Sequence, residues 1–166
     1  MSDRKFQEKS PTTLGAVLGV SKEIILTPVI SGSAYAANDV FFETVELPKA
    51  IMSEGGRAVL HSVTIIDKSA NANEIQFIIF EDEQELGTIN GAVDFDDTEA
   101  NSVTCKFKIE TTDYDTFGSK EVAQVLVNRY VQAAAGSQSV FIAAKLAASG
   151  TWAVGAVRLK FYFMED

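Results

Sequence analysis

Residues 57–81 read RAVLHSVTIIDKSANANEIQFIIFE, and the fold class hangs on this stretch. Two apolar runs, 59–66 and 75–80, flank a polar hinge at 68–73. Both runs are rich in Val, Ile and Phe, whose branched or flat side chains suit a pleated, buried surface. The adjacent pairs Ile65-Ile66 and Ile78-Ile79 put apolar groups on both faces. Both runs are therefore expected to be central strands covered on two sides.

Downstream, the pattern becomes a clean alternation. In 102–109, Val103, Cys105, Phe107 and Ile109 share one face, while Thr104, Lys106 and Lys108 share the other. Residues 139–147 align Val140, Ile142, Ala144 and Leu146; residues 157–164 align Val157, Leu159, Phe161 and Phe163 against Arg158, Lys160 and Tyr162. Alternation with period two marks half-buried antiparallel strands. The segment 121–131 reads two ways. Val122, Leu126 and Tyr130 fall at helical spacing, but the β-branched cluster Val122, Val125, Val127 favours a strand, the reading taken.

Upstream, 39–47 is a strand carrying Phe41 and Phe42, and 23–30 is a strand in which Pro28, lacking an N–H, calls for an edge or a bulge. Loops fall at 31–38, 111–120 and 148–155, and turns at 53–56, 82–87 and 133–138, with a short helical turn within 94–101. The expectation is an all-β chain, a β-sandwich of about eight strands, with the jelly roll as one arrangement of that count. Its core should include Val63, Phe77, Ile79, Phe107, Ile142, Leu159 and Phe161.

The chain has 166 residues, enough for one domain with an arm and for a core that needs no disulfide or metal. Residues 1–22 read as an extended N-terminal arm and 23–166 as the sandwich. The net charge is −9; the arm carries Arg4, Lys5, Lys9 and Lys22 against Asp3 and Glu8, a net +2 that leaves −11 for the body. Such a body repels phosphate backbones, so nucleic acid is not an expected partner. The start lacks an apolar signal-peptide core, and no run approaches the length of a membrane helix, so synthesis in a cytoplasm and no membrane partner are expected. Within the arm, Leu14, Val17, Leu18 and Val20 form a patch broken by Gly15 and Gly19. It is too small to found a core, but it could add to a neighbour's groove or sheet edge.

Groups able to carry chemistry are few. The one cysteine, Cys105, lies on an apolar strand face and reads as a buried hydrophobe. The one histidine, His61, has no second His or Cys to share a metal and no Gly-x-Ser-x-Gly elbow to serve. Asp94, Asp96, Asp97 and Glu99 lack the spacing of a calcium loop and read as a solvated turn. The Gly15 to Lys22 segment lacks phosphate-loop spacing. Trp152 with Tyr162 could form a sugar platform, although core or subunit-interface packing is the better reading of Trp152. No catalytic, cofactor-binding or metal-ligating residue is assigned, no cofactor is expected, and the chain is not read as an enzyme. Leu14, Val17, Leu18, Val20 and Trp152 are the candidate protein-interaction residues.

Four segments, taken in order, resemble a family of small structural proteins of tailed bacteriophages. They are SGSAYAANDVFFETVELPKAI (31–51), GGRAVLHSVTIIDKSANANEIQFIIFE (55–81), LGTINGAVDFDDTEA (86–100) and AGSQSVFIAAKLAASGTWAVGAVRLKFYF (135–163). The shared features are Ala34-Tyr35 with Asp39-Val40, the Gly55-Gly56 turn, Ile66-Asp67-Lys68, the run 75–80, Gly136-Ser137-Gln138-Ser139, and the last strand, 159–163. They cover roughly 31–164 and record turns and core strands. The resemblance implies a virion protein of the head decoration or cement kind. Such a protein sits on the capsid surface in many copies, binds the major capsid protein and self-associates. A tail or fibre location and a carbohydrate-binding adhesin-like module are the alternatives.

Overall fold

A computed structural model of the chain describes residues 20–165. Nine strands occur among them: β1 (Val20–Leu26), β2 (Val40–Leu47), β3 (Arg57–Asp67), β4 (Ile75–Phe80), β5 (Val103–Ile109), β6 (Tyr114–Phe117), β7 (Lys120–Gln132), β8 (Val140–Leu146) and β9 (Val157–Glu165). A five-residue helix, α1 (Asp97–Asn101), lies between β4 and β5. A five-stranded sheet runs β1-β9-β3-β7-β6, and a four-stranded sheet runs β2-β8-β4-β5. All the strand pairs are antiparallel.

The connections define the architecture. The chain changes sheet between β1 and β2, β2 and β3, β3 and β4, β5 and β6, β7 and β8, and β8 and β9. Only β4–β5 and β6–β7 stay within one sheet. Leaving β6 aside, eight strands alternate between two four-stranded sheets in the order of a jelly roll, which buries one face of each sheet against the other. The hinge 68–73 carries the chain across the sandwich. The two apolar runs that flank it are both central, as expected, but in different sheets: β3 between β9 and β7, and β4 between β8 and β5.

The inner faces hold the main core. Phe161, Leu159, Val63, Ile65, Ile79 and Ile142 are fully buried there, and Phe77 and Trp152 nearly so. Phe107 is only half-buried, because β5 is an edge strand, and its ring lies stacked on Phe77 at 4.7 Å. A second, smaller cluster of Val40, Phe80, Leu86 and Ala143 lies on the outer face of the four-stranded sheet. There the long β4–β5 connection folds back, and Val40 N–H donates to Gly91 O at 2.8 Å while Asn90 N–H donates to Val40 O at 2.9 Å. That pairing covers part of the β2 edge, which would otherwise offer free backbone groups.

Four expectations change. β1 begins at Val20 and ends at Leu26, so Pro28 lies beyond the strand. Val20 and Lys22, assigned to the arm, are paired with Glu165 and Phe163. Residues 114–117, expected as loop, form β6, which turns back into β7 at Gly118 (φ 64°). Val103 does not share the inner face with Cys105, since a register shift beside Phe80 turns it into the outer cluster. Segment 120–132 is a strand: its β-branched side chains prevailed over the helical spacing of Val122, Leu126 and Tyr130.

Candidate docking surface at the charge-free loop end

Three loops meet at one end of the sandwich: the β1–β2, β3–β4 and β8–β9 connections. Residues 27–38, 69–73 and 147–157 contain no Asp, Glu, Lys, Arg or His, although 22% of the chain is charged. The loops are stitched together. Tyr35 N–H donates to Gly150 O at 2.8 Å and Gly150 N–H returns to Tyr35 O at 3.3 Å. The Asn71 and Asn73 amides donate to Thr151 O at 2.7 Å and Ser149 O at 3.0 Å, and Ala153 N–H donates to Ser69 Oγ at 3.1 Å. These five bonds between loops leave this end with little freedom to rearrange.

Trp152 pins the loops from beneath. It is 1% exposed, and its ring centroid lies 4.8 Å from that of Phe41 and 5.8 Å from that of Tyr35. The indole Nε1–H donates to Asp67 Oδ2 at 3.1 Å. Asp67 is itself buried and also accepts from Ser69 N–H at 2.8 Å and Asn71 N–H at 3.0 Å. A buried carboxylate is tolerated where several donors satisfy it. These bonds hold the 69–73 loop in a conformation in which Ala70 and Ala72 have φ of 55° and 47°, a region that side chains with a Cβ rarely adopt. Gly150 must lack a side chain, since a Cβ there would lie 2.7 Å from both the Asn73 amide nitrogen and the Trp152 ring.

On top of this frame, Val29 is 77% exposed and Val154 is 74% exposed. Val154 belongs to the same patch as the β1–β2 loop, its Cγ2 lying 3.5 Å from where a Cβ on Gly32 would sit. The residues that flank the two valines in sequence, 27–31 and 151–156, carry no charge. A rigid, apolar-tipped surface without charge loses little on desolvation and matches the charge-depleted centre of a protein interface. The border is charged, with Lys68 exposed on one side.

The residues singled out from sequence fall in different places. Trp152 belongs to this end but lies inside it, so it supports the surface and is not presented on it. Tyr162 projects from the outer face of the five-stranded sheet, so the two do not form a sugar platform. Leu14, Val17 and Leu18 lie outside the described residues, and Val20 falls in β1. Val29, Val154 and the convergence of the three loops escaped the sequence reading. The gaps in charge are visible in the sequence, but their meeting at one end depends on topology.

His61 Nδ1 lies 2.8 Å from Asn128 Oδ1, with no nucleophile in that bond. Burial pushes the Cys105 thiol up to about 11. Asp96 is the N-cap of α1, accepting from Thr98 N–H at 2.6 Å while Glu99 Oε2 accepts from Asp96 N–H at 2.9 Å. Its carboxyl is held below the usual range by hydrogen bonds, first from Glu99. Among the described residues no three His, Cys, Asp or Glu side chains converge as a metal site would require.

No protein-family model and no curated protein matches the chain. Among solved structures, a chain of deformed wing virus carrying the GFP gene is 11% identical, covers 96% of this chain and 80% of its own length, and has a TM-score of 0.40. The cleaved adhesin domain of Lys-gingipain from Porphyromonas gingivalis is 13% identical over 81% and 72%, with a TM-score of 0.32. A chain of the cyanophage Pam1 capsid asymmetric unit is 19% identical over 89% and 86%, with a TM-score of 0.30. With scores this low, these likenesses carry no functional argument.

Proposed function

We propose that this chain is a structural protein of a virion, of the head-decoration or cement kind that its sequence resembles. In this reading it sets the charge-free loop end against the major capsid protein and associates with its own copies on the capsid surface. The observation that carries the reading is that end itself: two exposed valines on a neutral surface, braced from inside by Trp152 and Asp67. An acidic protein of net charge −9 repels other acidic surfaces over most of its area. The neutral end is where a broad, dry contact costs least. The jelly roll supports the reading only as a rigid mount, since a fold by itself does not assign a function. The adhesin alternative loses its sugar platform with Trp152 inside. The part of the arm that precedes β1, residues 1–19, is proposed to add a second contact through Leu14, Val17 and Leu18.

The test is a binding assay with purified virions stripped of this protein. Wild-type protein should rebind in stoichiometric proportion to the shell protein, counted by mass spectrometry. Val29→Asp combined with Val154→Asp should abolish rebinding while leaving the circular dichroism spectrum and melting temperature near wild type. Absence of the protein from purified virions would refute the virion reading. Undiminished rebinding by the double variant would refute the assignment of this end.

A further inference from the structure

We infer that the outer face of the four-stranded sheet is a self-complementary docking surface for a second copy of this chain, built around Phe95, Lys106 and Lys145. The inference takes self-association from the proposed function as its premise and assigns a surface to it. A cleft of about 520 Å³ lies on that face. Ile78, Val93 and Phe95 contribute its apolar lining, and Lys106, Lys108 and Lys145 its charged lining, with no carboxylate among the lining residues. That sign is unexpected in a chain with 23 acidic and 14 basic residues.

The lysines are not equivalent. Lys108 is engaged by Glu110 at 2.7 Å and Glu74 at 3.7 Å, and Lys145 donates to Asn38 Oδ1 at 3.2 Å. Lys106 is exposed and forms no ion pair among the described residues. The cleft thus offers at least one uncommitted cation beside exposed apolar surface.

The complementary element is on the same face. Phe95, 42% exposed, stands at the cleft between Asp94 and Asp96. Its backbone is fixed on both sides. Asp94 N–H donates to Leu86 O at 3.0 Å, and the reciprocal Asp96–Glu99 cap starts α1 immediately after it. An exposed aromatic on a fixed mount binds without a large ordering cost. Asp96 is committed to the cap, whereas Asp94 and Asp97 are exposed and form no ion pair among the described residues. No ion pair joins them to Lys106 within one chain. A surface that carries an aromatic, free carboxylates and a free lysine around one apolar cleft can pair with itself about a twofold axis. Each copy's Phe95 then enters the partner's cleft, and each copy's carboxylates face the partner's lysines.

The experiment is sedimentation velocity of the full chain across a concentration series at low and moderate salt. Wild type should dimerise, more weakly as salt rises. Phe95→Ala, Lys106→Glu and Asp94→Lys should each raise the dissociation constant at least about tenfold. The double variant Lys106→Glu/Asp94→Lys should recover most of the loss, because it restores opposite charges with their positions exchanged. A wild type that stays monomeric refutes the self-association premise. A dimer that none of the single changes weakens refutes this surface while leaving self-association intact. A double variant no better than the singles refutes the pairing. A monomer in which Lys106→Glu instead weakens binding to stripped virions replaces the second copy by the shell protein as occupant.

Discussion

Trp152→Phe tests the brace beneath the loop end. The substitution keeps an aromatic ring beside Phe41 and Tyr35 but removes the indole N–H that donates to Asp67 at 3.1 Å. A lost hydrogen bond to a charged group costs about 1.5–3 kcal/mol. Phe also lacks two ring carbons that are fully packed in Trp152, worth roughly 1–2 kcal/mol by burial. Together the expected loss is about 2.5–5 kcal/mol, a large fraction of the 5–15 kcal/mol, roughly, that holds a domain of this size. Urea unfolding followed by circular dichroism measures it, and an unchanged slope would show that compactness is preserved. The pair is isolated by a cycle with Asp67→Asn, in which the two changes should couple by about 1 kcal/mol or more. A loss below roughly 1 kcal/mol for Trp152→Phe, or additive single effects, would refute the claim that this bond holds the loops. As Trp152 is the sole tryptophan, its emission in the native wild type should be blue-shifted and should move to the red on unfolding.

Three further outcomes are expected. Phe161→Ala, at a fully buried site, should cost about 3–5 kcal/mol, whereas Phe107→Ala on the half-buried edge strand should cost clearly less; equal losses in urea unfolding would contradict the burial difference. Cys105 should alkylate with iodoacetamide at pH 8 on the order of a hundredfold more slowly than a small free thiol, because burial raises its pKa from 9.0 to about 11. The folded state then holds that proton more tightly than the unfolded state. Its contribution is therefore complete below pH 9.0 and is lost as pH rises through about 11, a fall of about 2–3 kcal/mol that Cys105→Ala should remove. Gly150→Ala should lower the melting temperature and expose Trp152 to acrylamide quenching, and an unchanged quenching constant would show that the loops close without the glycine.

The sequence by itself determined the local character of most of the chain. Period-two alternation identified β5, β8 and β9, and adjacent Ile pairs marked β3 and β4 as central. The tightness of Gly118, the pairing of residues 114–117 and the slip that turns Val103 outward were not legible, because each depends on the neighbouring strand. Alternation says which side chains share a face and nothing about which strand lies beside them. Only the tertiary structure decided that β3 and β4 belong to opposite sheets, and hence that the hinge between them reaches the same end as two other loops. It also decided the place of Trp152. An aromatic in a small-residue loop reads equally as an exposed platform or as a buried pin. The choice was made by Asp67, 85 residues away, whose carboxylate supplies the partner that lets the indole N–H be buried. The charge-free segments were visible one by one, but a surface exists only where they meet, and long-range strand pairing brings them together.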